Sequence, residues 1–290
     1  YVAKVSGEQF SSHENGKCAY TNKLDKPCRS LMTSNRENPE AALSVASFSH
    51  VFGERSALRN VTFEIAPGRF AALLGLNGAG KTTLFSLITR LLALQQGSIK
   101  VAGLDVTRMG SRALAPLGVV FQQPALDLDL SVRQNLRYFA ALQGLSRASA
   151  DDRMMRTLED LAMPERIDEK VRVLNGGHRR RVEIVRALMH EPSVLLLDEA
   201  TVGLDVPTRA TIVDHVHNLA SERGIAVLWA THLIDEIRAA DDLIVLNAGQ
   251  VIESGRVGEV VSRVGAADLA GAFHGLIEKD SLSPSRKDPA

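Results

Sequence analysis

The segment Arg69-Phe-Ala-Ala-Leu-Leu-Gly75-Leu-Asn-Gly78-Ala-Gly80-Lys81-Thr82-Thr83 is an apolar run that breaks into glycines, and Leu84-Phe-Ser-Leu-Ile follows it as a new apolar segment. This order predicts a strand, a glycine loop and a helix. Four residues of the loop match G-x-x-x-x-G-K-[ST], namely Gly75, Gly80, Lys81 and Thr82. A preceding strand and a following helix are the context that this pattern requires, so the segment predicts a phosphate-binding loop.

The residue types in this loop suit phosphate chemistry. Glycines let the backbone curl so that successive N–H groups point at phosphate oxygens, and the following helix adds its positive dipole end. Lys81 supplies a cation for the β- and γ-phosphates, and the Thr82 hydroxyl is placed to hold Mg²⁺. A purely structural glycine turn has no use for Lys-Thr at this offset. We therefore expect a nucleotide with Mg²⁺ at this loop.

Composition limits the possible classes of protein. The chain has 290 residues, of which 45% are hydrophobic, which is enough for a sizeable core. Its 34 basic residues balance its 34 acidic residues, which argues against nucleic acid as the main partner. Cys18 and Cys28 allow one disulfide, although free thiols of a cytosolic protein fit better. We expect neither a membrane span nor a secretory signal, because no apolar run is long enough and residues 1–40 lack an apolar segment.

The chain divides into three parts. Residues 1–40 are rich in Ser, Asn, Lys and Glu without a sustained period, which predicts a disordered arm. Residues 41–265 are predicted to form an α/β domain that contains a helical subdomain at about 125–185. Residues 266–290 are predicted to be a C-terminal tail.

Antiparallel pieces surround a mostly parallel core. Val61–Ile65 alternates between apolar and polar residues and predicts a hairpin strand before the glycine loop. The segment Ser98–Gly103 predicts a short edge strand, and Leu243–Glu253 predicts a late hairpin. The predicted fold class is therefore α/β, a P-loop NTPase core with a mostly parallel sheet, an antiparallel β subdomain and a helical subdomain.

Polar residues follow three apolar runs of the predicted sheet. Gln122, the pair Asp198-Glu199 and His232 each come at the end of such a run. Ligands of open α/β sheets bind at the carboxyl ends of the strands, so we expect these side chains to share one site.

The chemistry of these residues suggests a role for each. Asp198 would bind Mg²⁺ through its water shell, and Glu199 would polarise a water for attack on the γ-phosphate. His232 would hydrogen-bond the γ-phosphate and the attacking water, and Gln122 would ligate Mg²⁺. The alternatives are a solvated acidic strand end, a structural histidine and a loop cap.

Two further features lie away from the loop in sequence. Phe52 could stack on adenine or belong to the core. Asn175-Gly176-Gly177 begins a predicted helix and forms a second anion-binding shape. This turn is either an ordinary helix start or a cover for the nucleotide of another copy of the chain.

From about residue 42 to 262 the chain resembles the nucleotide-binding subunit of an ABC transporter. The motifs of that family occur in order: Gly75–Thr83 as Walker A, Gln122 as the Q-loop, Leu174–Arg179 as the signature, Val194–Glu199 as Walker B, Gly203–Asp205 as the D-loop and His232 as the switch histidine. The resemblance implies a head-to-tail dimer, a homodimer or a heterodimer with a related ATPase, and the cofactors ATP and Mg²⁺.

The resemblance also implies a role for each site residue. It places ATP against one copy through Phe52, Gly75, Asn77, Gly78, Ala79, Gly80, Lys81, Thr82 and Thr83. The other copy contributes Asn175, Gly176, Gly177 and Asp205. The implied Mg²⁺ ligands are Thr82, Gln122 and Asp198, and the implied catalytic residues are Glu199 and His232.

The signature departs from the usual Leu-Ser-Gly-Gly-Gln. Asn175 replaces its serine and His178 its glutamine, while Ala200 stands where the family usually has proline. An Asn amide still donates to a γ-phosphate and suits a helix N-cap, so we expect nucleotide binding with altered geometry. Ser131-Val-Arg-Gln-Asn-Leu-Arg-Tyr-Phe-Ala resembles subunits of ABC-2-type exporters, and Gly-Gly-His-Arg-Arg-Arg resembles a group associated with quinoprotein (pyrroloquinoline quinone-linked) alcohol oxidation.

These observations predict an ATPase that powers transport, with export favoured, through a separate integral-membrane permease on the cytoplasmic side of the inner membrane. Docking is expected at the groove around Gln122 and the helical subdomain. One alternative is a non-transport ABC ATPase that acts on ribosomes or DNA, although we find one cassette and no sustained heptads. Another is a non-hydrolysing subunit, against which Glu199 and His232 argue.

Overall fold

The computed structural model describes residues 41–282. The predicted arm at 1–40, both cysteines and the last eight residues of the predicted tail lie outside the described residues.

The strands form two sheets. Within residues 41–282 they are β1 (Leu43–Phe52), β2 (Arg55–Ile65), β3 (Phe70–Leu74), β4 (Gln96–Val101), β5 (Leu104–Asp105), β6 (Leu117–Val120), β7 (Val194–Asp198), β8 (Ala226–Thr231), β9 (Asp242–Asn247) and β10 (Gln250–Arg256). A six-stranded sheet has the order β10-β9-β3-β8-β7-β6, and a four-stranded sheet has the order β2-β1-β4-β5. In the larger sheet only the β9–β10 pair is antiparallel, which confirms the predicted mostly parallel core.

The helices alternate with these strands. Within the same residues they are α1 (Lys81–Ile88), α2 (Val106–Met109), α3 (Ser111–Leu114), α4 (Val132–Leu142), α5 (Arg147–Asp160), α6 (Gly176–Leu188), α7 (Val206–Arg223), α8 (Val257–Val264) and α9 (Leu269–Ser281). α4 begins with a capping box between Ser131 and Gln134, as its sequence predicts. α7 starts at the Asp205 cap and ends at Gly224 in a left-handed conformation. No helix of residues 41–282 is long and apolar enough to span a bilayer.

The core lies on both faces of the parallel sheet. All five residues of β3 are buried, as expected of a central strand that is covered on each side. Phe70, Ala72 and Leu74 pack into a cluster with α4, α6 and α7, while Ala71 and Leu73 face the four-stranded sheet and α1. β3 is therefore fixed from two sides, and its carboxyl end delivers the glycine loop at a defined place.

The structure differs from the sequence prediction at two elements. The predicted edge strand at Ser98–Gly103 is β4, which lies inside its sheet between β1 and β5. The prediction was wrong because β5 has only two residues, too few to give a periodic pattern. In addition, α9 forms within the region predicted as a tail, and its Phe273 is buried in the core, so packed structure continues beyond residue 265.

Candidate functional site

The glycine loop between β3 and α1 is shaped by close backbone approach. A Cβ at Gly75 would lie 2.4 Å from the carbonyl oxygen of Leu246 in β9. Gly80 has φ +111°, and a Cβ there would lie 2.8 Å from the Leu58 side chain, so a larger residue is excluded twice over. Gly80 is also the N-cap of α1 and makes no side-chain cap, which leaves the first N–H groups of the helix for an anion.

Lys81 is held inside the curl of this loop. Its side chain is 5% exposed, and Nζ donates to the carbonyl oxygens of Gly75 at 2.8 Å and Leu76 at 3.3 Å. The same Nζ lies 3.5 Å from Oε1 of Glu199. These contacts fix a buried cation at the centre of the phosphate-binding loop.

The Glu199 carboxylate is the point where separate elements of the sheet edge meet. Gln122 Nε2, which follows β6, donates to Oε2 at 3.1 Å, and His232 Nδ1, which follows β8, lies 3.3 Å from Oε1. Glu199 itself follows β7 in the left-handed region with φ +46°, and its N–H donates to the Ala230 carbonyl at 3.0 Å. Such strain in a non-glycine residue is common at functional sites. The structure thus brings Lys81, Gln122, Glu199 and His232 together.

Asp198 lies behind this cluster at the end of β7. It is 1% exposed, and its Oδ1 has no hydrogen-bond partner among the described residues. Burial raises the pKa of Asp198, as does the nearby Glu199, whereas Thr82, Lys81 and Arg180 act in the opposite direction. A buried carboxylate oxygen without a protein donor, beside a threonine hydroxyl, suits a hard cation such as Mg²⁺.

A cavity of about 1350 Å³ opens beside the loop. Phe52 lines it and is 48% exposed, so the alternative that Phe52 belongs to the core is wrong. Its ring lies edge-on to His50, with the centroids 4.6 Å apart. The predicted residues that line the cavity are Phe52, Asn77, Gly78, Gly80, Lys81, Thr82, Thr83, Gln122 and Glu199.

Sequence reasoning missed the cavity wall that β2, the turn before it and the β9–β10 turn provide. The residues concerned are Glu54, Arg55, Ser56, Ala57, Arg59 and Ala248. Arg59 is notable because its Nε is buried without a hydrogen-bond partner among the described residues. The alternation of β2 was visible in the sequence, but the cavity depends on how β2 packs over the loop.

The signature turn lies elsewhere on the chain and lines no part of this cavity. Asn175 caps α6, because its Oδ1 accepts from the His178 N–H at 2.8 Å. A Cβ at Gly177 would lie 2.3 Å from Cγ2 of Thr208, so the turn packs against the start of α7. Asp205 caps that helix by accepting from the Thr208 N–H at 2.9 Å. Asn175, Gly176, Gly177 and Asp205 thus form a second surface, away from the glycine loop of the same chain.

The neighbouring His178 carries no fixed positive charge of its own. Burial lowers the pKa of its imidazole, and Arg166 and Arg181 lower it further, so the neutral ring is favoured. Among residues 41–282 there is no cluster of three or more His, Cys, Asp or Glu side chains that could hold a metal. A Mg²⁺ site would not form such a cluster, because Mg²⁺ usually takes one or two carboxylates together with phosphates and waters.

Comparison with known proteins places this geometry in a family. The profile of the family described as ABC transporter matches residues 58–202. The chain is 34% identical over 247 residues to the Nod factor export ATP-binding protein I of Cupriavidus metallidurans, a match that covers 84% of this chain and 81% of that protein. It is 32% identical over 224 residues to the linearmycin resistance ATP-binding protein LnrL of Bacillus subtilis, covering 77% and 72%.

Solved structures agree with this assignment. A dimeric ATP-binding cassette in a post-hydrolysis state, bound to ADP and phosphate, superposes with a TM-score of 0.65 at 26% identity. The match covers 74% of this chain and 98% of that one. The glycine loop, the buried lysine and the strand-end carboxylates therefore occur on the fold of nucleotide-binding cassettes, and the chain belongs to the ABC transporter family as an ATP-binding subunit with ATPase activity.

Proposed function

We propose that this chain hydrolyses Mg-ATP to drive export of a substrate through a separate integral-membrane permease, on the cytoplasmic side of the inner membrane. Support for export comes from relatives whose names describe Nod factor export and linearmycin resistance. The observation that carries the catalytic part is the Glu199 carboxylate within reach of Lys81, Gln122 and His232.

Each site residue has a role that follows from its position. Lys81 and the first N–H groups of α1 bind the β- and γ-phosphates, and Phe52 stacks on the adenine. Glu199 accepts a hydrogen bond from the attacking water, and His232 orients that water and the γ-phosphate. The position of Glu199 at a strained turn, tied to Ala230 through its backbone, keeps the carboxylate in place during the reaction.

Thr82, Gln122 and Asp198 would hold the magnesium ion. The buried Oδ1 of Asp198 has no other partner among the described residues, which fits an oxygen-rich cation site. When bound, Mg²⁺ neutralises charge on the β- and γ-phosphate oxygens. Burial raises the pKa of Asp198 despite Thr82, Lys81 and Arg180, and a bound cation would offset this by favouring the ionised carboxylate.

A second copy completes the site in this proposal. Because Asn175 uses its Oδ1 to cap α6, its amide nitrogen is left as a donor for the γ-phosphate of the ATP on the partner subunit. Asp205 and the signature glycines lie on the same surface, as a head-to-tail dimer requires. The ATPase domain would span residues 41–265 together with α9, which packs on its core, and would contain a helical subdomain at about 125–185. The resemblance to the group linked to quinoprotein alcohol oxidation stays a prediction about the biological setting.

The catalytic part is tested by Glu199→Gln. We expect turnover of the purified chain to fall by about a hundredfold or more, because the carboxylate acceptor is lost, while binding of a fluorescent ATP analogue is kept. Glu259→Gln, an exposed change in α8, serves as the control and should leave both quantities unchanged. Turnover of Glu199→Gln like that of the parent would remove Glu199 from the catalytic role.

The transport part is tested by affinity purification of the tagged protein from detergent-solubilised cells. An integral-membrane protein in roughly equal amount would support the permease and give a route to the exported substrate. Ribosomal proteins or nucleic acid without a membrane partner would contradict the transport proposal and favour a non-transport ATPase.

A further inference from the structure

One buried face of α6 carries charged side chains at helical spacing. Arg180, Glu183 and Arg186 stand at i, i+3 and i+6, so they share a side of the helix. We name them the α6 strip. They face residues 119–126, which contain Gln122 and which we name the Gln122 segment.

Arg180 holds the backbone on both sides of the Gln122 Cα atom. Its Nη1 donates to the Phe121 carbonyl oxygen at 2.8 Å, and its Nη2 donates to the Gln122 carbonyl oxygen at 3.2 Å. The forked guanidinium thus spans two successive carbonyls with two separate nitrogens, an arrangement that no other side chain reproduces.

Glu183 and Arg186 secure the two ends of the same segment. Glu183 Oε1 accepts from the N–H groups of Ala125 at 2.6 Å and Leu126 at 3.1 Å. Arg186 donates to Glu183 Oε2 at 3.0 Å and to the Val119 carbonyl at 2.9 Å. The side chain of Glu183 is only 4% exposed and that of Arg186 15%, so these charges are buried and mutually satisfied.

Most contacts of the α6 strip lie beyond the end of the sheet, and one reaches Val119 inside β6. β6 ends at Val120, and beyond it the backbone has left the ladder that it shares with β7. Polar backbone groups near a core need partners, and side chains of α6 supply them along the Gln122 segment. α6 also packs directly on β6, since a Cβ at Gly118 would lie 2.5 Å from the Ala187 carbonyl. Helix and segment are therefore joined by polar bonds and by close packing.

We propose that Arg180 is a positioning residue for Gln122, which it fixes to α6 so that the amide stays aligned with Glu199 and the nucleotide. Because α6 begins at the signature turn, the same bonds link the position of Gln122 to that of Asn175. The inference rests on the proposed function, in which Gln122 contacts Mg²⁺ and the γ-phosphate.

The test is a double-mutant cycle on ATP hydrolysis by the full chain. Arg180→Gln should lower kcat by about tenfold with KM for ATP changed less than about twofold, because alignment and not binding is lost. In a Gln122→Ala background the same change should lower kcat by less than about twofold, since the residue that it aligns is already gone. Arg181→Gln is the matched control, because Arg181 is a neighbour on α6 whose hydrogen bond goes to Leu161 and not to the Gln122 segment.

A conservative variant keeps the test usable if Arg180→Gln does not fold. Arg180→Lys keeps the charge and one donor group, so it should give a kcat between the parent and Arg180→Gln, and the cycle is run with it alone if Arg180→Gln does not fold. Equal losses of kcat with and without Gln122, or an Arg180→Gln variant that behaves like Arg181→Gln, would overturn the inference. A parent chain without Lys81-dependent hydrolysis would instead count against the proposed function, so the two failures are distinct.

Discussion

Glu236 is a buried acid whose removal should weaken the fold directly behind the site. It is 2% exposed, and its Oε2 accepts from the indole Nε1 of Trp229 at 2.9 Å while its Oε1 accepts from the Thr201 hydroxyl. Thr201 stands two residues after Glu199, and Trp229 stands three residues before His232. The carboxylate therefore ties together the two backbone segments that carry the proposed catalytic residues.

The expected loss of stability follows from these two hydrogen bonds. Glu236→Ala leaves the indole N–H and the threonine hydroxyl buried without an acceptor, and each orphaned group costs about 1–3 kcal/mol. We therefore expect a loss of about 2–6 kcal/mol in the free energy of unfolding. Glu236→Gln keeps an acceptor oxygen for one donor, and the Thr201 hydroxyl can accept from the new amide, so its loss should be nearer 1 kcal/mol, about one neutral hydrogen bond.

Urea unfolding followed by circular dichroism measures this difference. Asp235→Ala is the control, because this neighbouring acid is 59% exposed and pairs with Arg209 at the surface, at 3.2 Å. The Asp235 side of this pair is in solvent although Arg209 is only 16% exposed, so its loss should cost about 1 kcal/mol. We expect the parent to have the highest free energy of unfolding, Asp235→Ala and Glu236→Gln to lie slightly below it at similar values, and Glu236→Ala to lie well below all three. A Glu236→Ala variant as stable as Asp235→Ala would refute the argument from buried donors.

Two further predictions concern packing and pH. Gly177→Ala should lower stability by about 1–3 kcal/mol, since its Cβ would lie 2.3 Å from Cγ2 of Thr208. Adding Thr208→Ser removes that methyl group and should raise the melting temperature again, and a double variant no better than Gly177→Ala would exclude the contact as the cause. Burial lowers the pKa of His190, although the bond to the Leu117 carbonyl acts in the opposite direction. As the pH falls, His190 is therefore protonated in the unfolded chain before it is protonated in the folded chain. The free energy of unfolding should thus fall as the pH drops below about 6.5. His190→Gln should lose less stability between about pH 7 and pH 5 than the parent, and equal losses in urea titrations would contradict this.

The fold and the meeting of the strand-end residues were predictable because both follow from local patterns. Buried strands give continuous apolar runs, and β3, β8, β7 and β6 are neighbours in one sheet. The polar residues that follow such strands must then lie at one edge, which is where Lys81, Gln122, Glu199 and His232 lie. This deduction needs only the direction of the strands, and in a parallel sheet all strands run the same way.

Other features of the fold and the site depend on contacts between distant parts of the chain, which local sequence patterns do not predict. Arg180 and Glu183 belong to a run of charged residues that resembles a solvated helix face, yet they contact a segment about 60 residues earlier. The position of β4 depended on a partner strand of two residues. α9 is different, because its large apolar residues recur at helical spacing and pack on the core, so this local pattern was visible and was overlooked. They are Leu269, Phe273, Leu276 and Ile277.

The proposed catalytic residues stand on backbone that has left the sheet, and buried charged groups support that backbone from behind. Glu183 satisfies two N–H groups near Gln122, and Glu236 satisfies two side chains beside Glu199 and His232. A buried carboxylate is costly unless it is fully hydrogen-bonded, so such groups persist only where several donors converge on them. Each of these two carboxylates has more than one buried partner, so removing it leaves several buried groups unpaired. Glu199 also has several partners, but Gln122 is exposed and His232 is partly exposed. Lys81 keeps two carbonyl acceptors, and the left-handed backbone of Glu199 itself costs stability. Substitutions behind the site should therefore damage the fold more than substitutions of Glu199 itself.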